Sequence, residues 1–234
     1  MLCCRKSKIS LSVIFAIVIL SCCEAWAGGL ATAPDLQPEQ IVNVEDVKHF
    51  IRLPLVRQAA DYTCGIAALR SLLLYYGEEY GERELASSLG AYPHRGTSYR
   101  SIIRFANKKF ADPGKRDFQM QKKTGMTLDD LRQLIDQGKP SIVLLQAWGN
   151  PGVNWKTEWK EGHYALAIGY DENNIYFMDP SVLGHYAFIP IEEFLDRWHD
   201  QDPVTGEKLI RCGLVIGNDN KIPSYQPGRI KRMN

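Results

Sequence analysis

Four side chains, Gln58, Cys64, His163 and Asp179, have the types and the chain order that thiol-based acyl chemistry needs. That chemistry requires a thiolate, a base beside it, a group that orients the base, and N–H donors for the negative oxygen of a tetrahedral intermediate. Cys64 stands in D-Y-T-C-G-I-A-A-L-R-S-L-L, at the head of an apolar-periodic run. A helix starting there aims its free N–H groups and the positive end of its dipole at the sulfur, which favours the thiolate. Gly65 behind it leaves room for the backbone to approach a substrate. Gln58 lies six residues before the cysteine. From there its amide can fold over the helix start and join the Cys64 N–H as a second oxyanion donor. His163 opens G-H-Y-A-L-A-I-G-Y, a strand-like run whose rim faces a sheet edge. Asp179 ends Y-F-M-D-P-S, 16 residues later. One strand out, a turn at Asp171-Glu172-Asn173-Asn174 and one strand back bring its carboxylate to the imidazole, where it fixes the tautomer. Pro180 then turns the chain out of the sheet. Taken singly, a cysteine is more often structural, a glutamine a surface residue and an aspartate before proline a turn residue. The ordered set favours the chemical reading.

The elements that must hold these groups can be read from periodicity and turn residues. Residues 47–56 have strand character. Helices are expected from Gly65 to Tyr76, stopped by Gly77, over 82–89, stopped by Gly90, and over 98–110, followed by a strand over 117–121. Thr127 and Asp130 form a capping-box pair for a fourth helix that ends near Gly138 and Pro140. Residues 141–148 form a wholly apolar strand, central in a sheet. A loop over 149–162 carries Trp155 and Trp159, which either shape a cleft or simply pack. Strands follow over 163–170, 175–178, 186–190 and 208–216, with a short helix over 191–199. Helices lead and antiparallel strands follow, so the fold class is α+β, a helical lobe packed on an antiparallel sheet.

The segments Q-A-A-D-Y-T-C-G-I-A-A-L, G-T-S, G-H-Y-A-L-A-I-G-Y and M-D-P-S are together similar to the bacteriocin-processing, double-glycine leader peptidases, cysteine peptidase family thirty-nine of the papain-like superfamily. The resemblance spans about residues 48–217. It implies a papain-like fold with Gln58 as oxyanion donor, Cys64 as nucleophile, His163 as base and Asp179 as its orienting acid. It implies a peptide or protein substrate. The best-known members are fused to a transporter, and the export signal here points to the stand-alone, peptidase-like branch. The same residue order also serves an amidase or transglutaminase-like acyl transferase. A catalytically silent papain-like binding module for a secretion substrate keeps the fold alone.

Composition bounds the rest. The chain has 234 residues, 45% hydrophobic and 24% charged, with a formal net charge of +1, which gives no sign of a nucleic-acid partner. Arg5, Lys6 and Lys8, the apolar run 9–20, and Ala25-Trp26-Ala27 together read as a signal peptide over residues 1–27. Localisation is therefore expected to be periplasmic or secreted. Ser21-Cys22 offers lipid attachment at Cys22, and with it membrane anchoring, as the alternative. Residues 28–47 read as a linker, 48–217 as the peptidase domain and 218–234 as a disordered basic tail. Cleavage after Ala27 leaves Cys64 and Cys212, enough for one disulfide in an oxidising compartment. The context of Cys64 argues instead for a free thiol, and that of Cys212 for a buried small hydrophobe. No metal site or cofactor motif is apparent.

Overall fold

The structure is a computed structural model, and it describes residues 42–93, 96–110, 119–217 and 224–228. The proposed signal peptide, the linker up to residue 41 and most of the C-terminal tail lie outside these residues. The α-helices among the described residues are α1 (Cys64–Tyr75), α2 (Glu82–Leu89), α3 (Tyr99–Phe110), α4 (Leu128–Asp136) and α5 (Ile191–Arg197). The strands are β1 (His49–Phe50), β2 (Gln119–Lys123), β3 (Ser141–Gln146), β4 (Gly162–Tyr170), β5 (Asn174–Met178), β6 (Ala187–Pro190), β7 (His199–Gln201), β8 (Lys208–Ile210) and β9 (Cys212–Gly217). All the strand pairs are antiparallel. The main sheet runs β2-β9-β3-β4-β5-β6 with β1 added to β4, and β7 and β8 form a separate hairpin.

Every residue of β3 is buried, the apolar run Ile142 to Leu145 and the polar Ser141 and Gln146 at its ends alike, as befits a central strand. Ile66, Leu69, Leu72 and Leu73 of α1 have no exposed surface. Burial of each such side chain is worth roughly 1.5–3 kcal/mol, so the helix that carries Cys64 is anchored along its length. It stops at Gly77, where φ is +81° and L side chains are disfavoured. At α4 the capping box is complete: the Thr127 hydroxyl accepts from the Asp130 N–H, and the Asp130 carboxylate accepts from the Thr127 N–H.

Several expectations need correction. Of the strand read over 47–56, only His49 and Phe50 pair, with Tyr170 and Gly169. β3 occupies the same edge of β4 from Gly162 to Ala167, so only the end of β4 is free. The linker read over 28–47 contains a 3-10 turn, Val44–Asp46, and a buried Val47. The strand read over 208–216 is two strands, broken at Arg211, whose φ is 45°. Residues 224–228, read as part of a disordered tail, contain a docked segment. The N–H groups of Ser224 and Tyr225 donate to Tyr75 O at the end of α1, where helix carbonyls lack partners, and Tyr225 packs on the core.

Candidate active site

α1 begins at Cys64, and its first turn has no side-chain cap. Thr63, the residue before it, turns its hydroxyl backward instead. It accepts from the N–H groups of Ala59 and Ala60 at 3.1 Å each and donates to Ala60 O at 2.9 Å. The first turn carries no acidic residue. The partial positive charge of the helix start is therefore left for the sulfur. Cys64 is 8% exposed and a free thiol, as is Cys212. Burial pushes the Cys212 thiol up to about 12, the behaviour of an inert core residue.

Gly65 has a different use from the one expected of it. A Cβ there would lie 3.2 Å from Thr97 Cβ and 3.2 Å from Tyr164 Cδ2. The glycine lets α1 press against β4, and it faces the protein interior rather than a substrate.

His163 sits at the head of β4 and is 5% exposed. Its Nε2 lies 3.0 Å from Asp179 Oδ1, and the Cys64 side chain is near enough to favour a charged ring. With Nε2 turned to the carboxylate, Nδ1 is the nitrogen left for sulfur. Burial works against a charged ring, but the Asp179 carboxylate and the Cys64 side chain outweigh it and raise the pKa to about 10. Asp179 is held by two further donors, the Ser181 N–H to Oδ1 at 2.7 Å and the Trp148 indole N–H to Oδ2 at 3.3 Å.

The reach of Asp179 depends on an irregularity between β4 and β5. Tyr170 pairs Ile175 and Gly169 pairs Tyr176, but Ala167 pairs Phe177 and Leu166 pairs Met178, with a bulge between Ala167 and Gly169. Continued one residue, this register sets Asp179 opposite Ala165, on the face that also bears His163. In the unbulged register Asp179 would oppose Leu166 and point to the other face.

Gln58 is tied to the turn after Asp179. Its N–H donates to Pro180 O at 2.9 Å, its Oε1 accepts from the Ser181 hydroxyl at 3.2 Å, and its Nε2 donates to Ala60 O at 3.1 Å. One amide hydrogen remains for another acceptor. Gln58 borders a recess of about 240 Å³ with Arg57, Asp61 and Ser181.

Cys64 opens instead onto a cleft of about 470 Å³. Its walls include Gly96 and Thr97, Trp159 and Lys160, Gly162 and Tyr164, and the β7–β8 hairpin. Trp159 thus lines the cleft, tilted against His199 at a centroid distance of 4.4 Å. Trp155 does not; it packs under the Arg197 guanidinium at 3.6 Å. The structure brings Cys64, His163 and Asp179 together and sets Gln58 beside them on the Asp179 turn. Sequence reasoning missed Trp148, which stood at the end of an expected strand, and Asp200, which carried no signal because its strand is three residues long.

An α1-like helix opening on a cysteine, packed against an antiparallel sheet that carries the histidine and aspartate, is the papain-like peptidase architecture. The chain belongs to the Peptidase_C39 like family, which matches residues 50–205. Two solved structures resemble it in fold. A C39-like peptidase candidate from Bacillus anthracis aligns with a TM-score of 0.54 at 17% identity, over 74% of this chain and 98% of that one. The peptidase domain of Streptococcus ComA, a bi-functional ABC transporter involved in a quorum sensing pathway, aligns with a TM-score of 0.51 at 21% identity, over 72% and 98%. An uncharacterised protein of Methanothermobacter marburgensis is 27% identical over 142 residues, 60% of this chain and 82% of its own length.

Proposed function

We propose that the chain is a thiol hydrolase that cleaves peptide bonds, with Cys64 as nucleophile, His163 as base, Asp179 as orienting acid and Gln58 as an oxyanion donor. One juxtaposition carries this reading: His163 bonds Asp179 through Nε2 and meets Cys64 at the uncapped start of α1, where a cleft opens. His163 takes the thiol proton, giving a thiolate and an imidazolium. The sulfur attacks the peptide carbonyl carbon. The Cys64 N–H and the remaining Gln58 amide hydrogen stabilise the oxygen that becomes negative. The imidazolium gives its proton to the leaving amine, and a thioester remains on Cys64. Water, deprotonated by His163, then releases the carboxylate product and restores the thiol. Retention of the cysteine weighs against a silent binding module.

The test is the pH dependence of Cys64 alkylation in Cys212→Ser protein, with and without His163→Ala. An activated site gives a thiolate pKa well below the free value of about 8.5, and it rises when His163 is removed. A Cys64 that behaves as a free thiol in both proteins overturns the assignment. Peptide turnover in the presence of an added amine then separates hydrolase from acyl transferase, since only a transferase incorporates the amine. Export belongs to the same proposal, on the basic, apolar and small-residue order of residues 5–27. Recovery of the whole chain, uncleaved, in the cytoplasm would remove that part.

A further inference from the structure

The hairpin wall of the Cys64 cleft contains two buried carboxylates that the proposed chemistry does not use. Asp202 is fully accounted for. Its Oδ2 accepts from the Ser98 hydroxyl at 2.7 Å, and its Oδ1 accepts from the N–H groups of Val204 and Thr205 and from the Thr205 hydroxyl. It holds the turn of the hairpin. Asp200 differs. Its Oδ1 accepts from Gln146 Nε2 at 3.0 Å and from the Gln201 N–H at 2.7 Å, while no donor among the described residues reaches Oδ2. Asp200 is 5% exposed and lines the cleft. Oδ2 is not sealed from solvent, so an otherwise buried carboxylate offers one free oxygen to the cleft, where a cation can pair with it.

The backbone opposite is shaped for this carboxylate. Gly162 lies in the cleft wall immediately before His163, and a Cβ there would sit 2.4 Å from Asp200 Oδ1 and 2.9 Å from Oδ2. Only glycine lets the acid lie against β4 at that point. The carboxyl is half-neutral near neutrality, its pKa raised to about 7 by burial, against the pull of the Gln201 N–H, Gln146 and the charge of His163. A group so poised gains much from an incoming positive charge.

We propose that Asp200 is the anion of a substrate subsite beside Cys64, so that the cleft takes peptides presenting a cationic nitrogen, ammonium or guanidinium, next to the bond attacked. This rests on Cys64 being the reacting group, but its test reads the subsite separately. The full chain is alkylated with 2-bromoethylammonium and with iodoacetamide, and modification of Cys64 is followed by mass spectrometry. The ratio of cationic to neutral rates cancels the intrinsic reactivity of the thiol. Asp200→Asn should lower that ratio by about tenfold, the loss of one charge-assisted bond. An unchanged ratio overturns the proposal.

Should Asp200→Asn fail to fold, the unaltered protein supplies the answer. Its ratio should climb between pH 6 and 8 as Asp200 ionises, and a flat ratio overturns the proposal. The other ionisable groups facing this carboxyl are His163 and Tyr164 on β4, Cys212 on β9, Asp202 in the hairpin, Cys64 at the start of α1, Asp61 in the turn before it, and Lys160 before β4; burial holds Cys212 at about 12, outside that window. His163 keeps its charge across that window, and burial holds Tyr164 well above its usual range. Protection of Cys64 from iodoacetamide by blocked peptides carrying lysine, norleucine or a free N-terminal amine then assigns the cation to a side chain or to a chain start. Equal protection by all three counts against the subsite. An ordinary, His163-independent iodoacetamide rate would instead sink the hydrolase reading while leaving the ratio informative.

Discussion

The indole N–H of Trp148 donates to Asp179 Oδ2 at 3.3 Å, from a residue whose φ is +62° and which is 59% exposed. An aromatic residue in the left-handed region is strained, and a large ring left in solvent contributes little burial. The cost is tolerated where the indole covers the carboxylate that holds His163. Trp148→Phe keeps a ring and removes the donor. It should lower kcat/KM on a peptide substrate by about tenfold, the weight of one bond to a charged acceptor, while changing unfolding free energy by less than about 1 kcal/mol. Equal activity of the two proteins would make Trp148 a surface residue.

The charge on His163 predicts how stability varies with pH. Its pKa in the folded chain, about 10, exceeds the unfolded value of about 6.5. The ion pair therefore adds stability that is complete below about 6.5 and is lost progressively as pH rises to about 10. Denaturant titrations of the wild type and Asp179→Asn should show a gap that is widest at pH 6 and narrows on the alkaline side. The alkaline limb of kcat/KM should move to lower pH in the variant. A gap independent of pH would mean that His163 is neutral in the folded chain.

Glu207 predicts the opposite dependence. Lys122, Tyr99 and Arg100 all donate to its carboxylate, and these bonds, Lys122 foremost, hold its pKa down at about 2. Stability from these bonds is present above the ordinary carboxylate range and lost as pH falls toward 2. Glu207→Gln should be less stable than the wild type at pH 7, and the two should converge as the medium is acidified. The difference should also shrink in high salt, since the cluster is partly exposed.

At Gly65 two effects oppose. Alanine is the better helix former by about 1 kcal/mol, but its methyl would meet Thr97 and Tyr164 at 3.2 Å. Both neighbours are buried, and the Tyr164 hydroxyl is fixed on Thr97 O at 2.9 Å, so neither gives way easily. Gly65→Ala should lose about 1 kcal/mol of stability and displace Cys64, read as slower alkylation. A stabilised variant would show that the packing there is loose.

What could be read from the chain was what punctuation and period encode. Gly77, Gly90 and the Thr127–Asp130 pair fixed three helix ends, and the apolar run of β3 marked the sheet centre. His163 and Asp179 were legible because a hairpin of countable length joins them. Short elements were not. β7 and β8 have three residues each, too few for a period, so the hairpin that bears Asp200 stayed hidden. Arg211 breaks the last strand without a glycine or proline to announce it. The docking of Tyr225 on the end of α1 is a tertiary contact with no local signature.

The bulge at Ala167 to Gly169 makes the pairing of β4 matter as much as its spelling. The same chain, paired evenly from Tyr170 and Ile175 onward, would still fold its hairpin and still contain cysteine, histidine and aspartate in order. Its β5 would arrive a half-pleat out of phase, with the acid turned from the ring. A hairpin shorter by residue 168 would need no bulge, since Ala167 and Gly169 would then follow one another opposite Phe177 and Tyr176. Among related sequences, intact motifs alone are then an insufficient guide to a working site, and the count of residues between them must be read together with the evenness of the pairing.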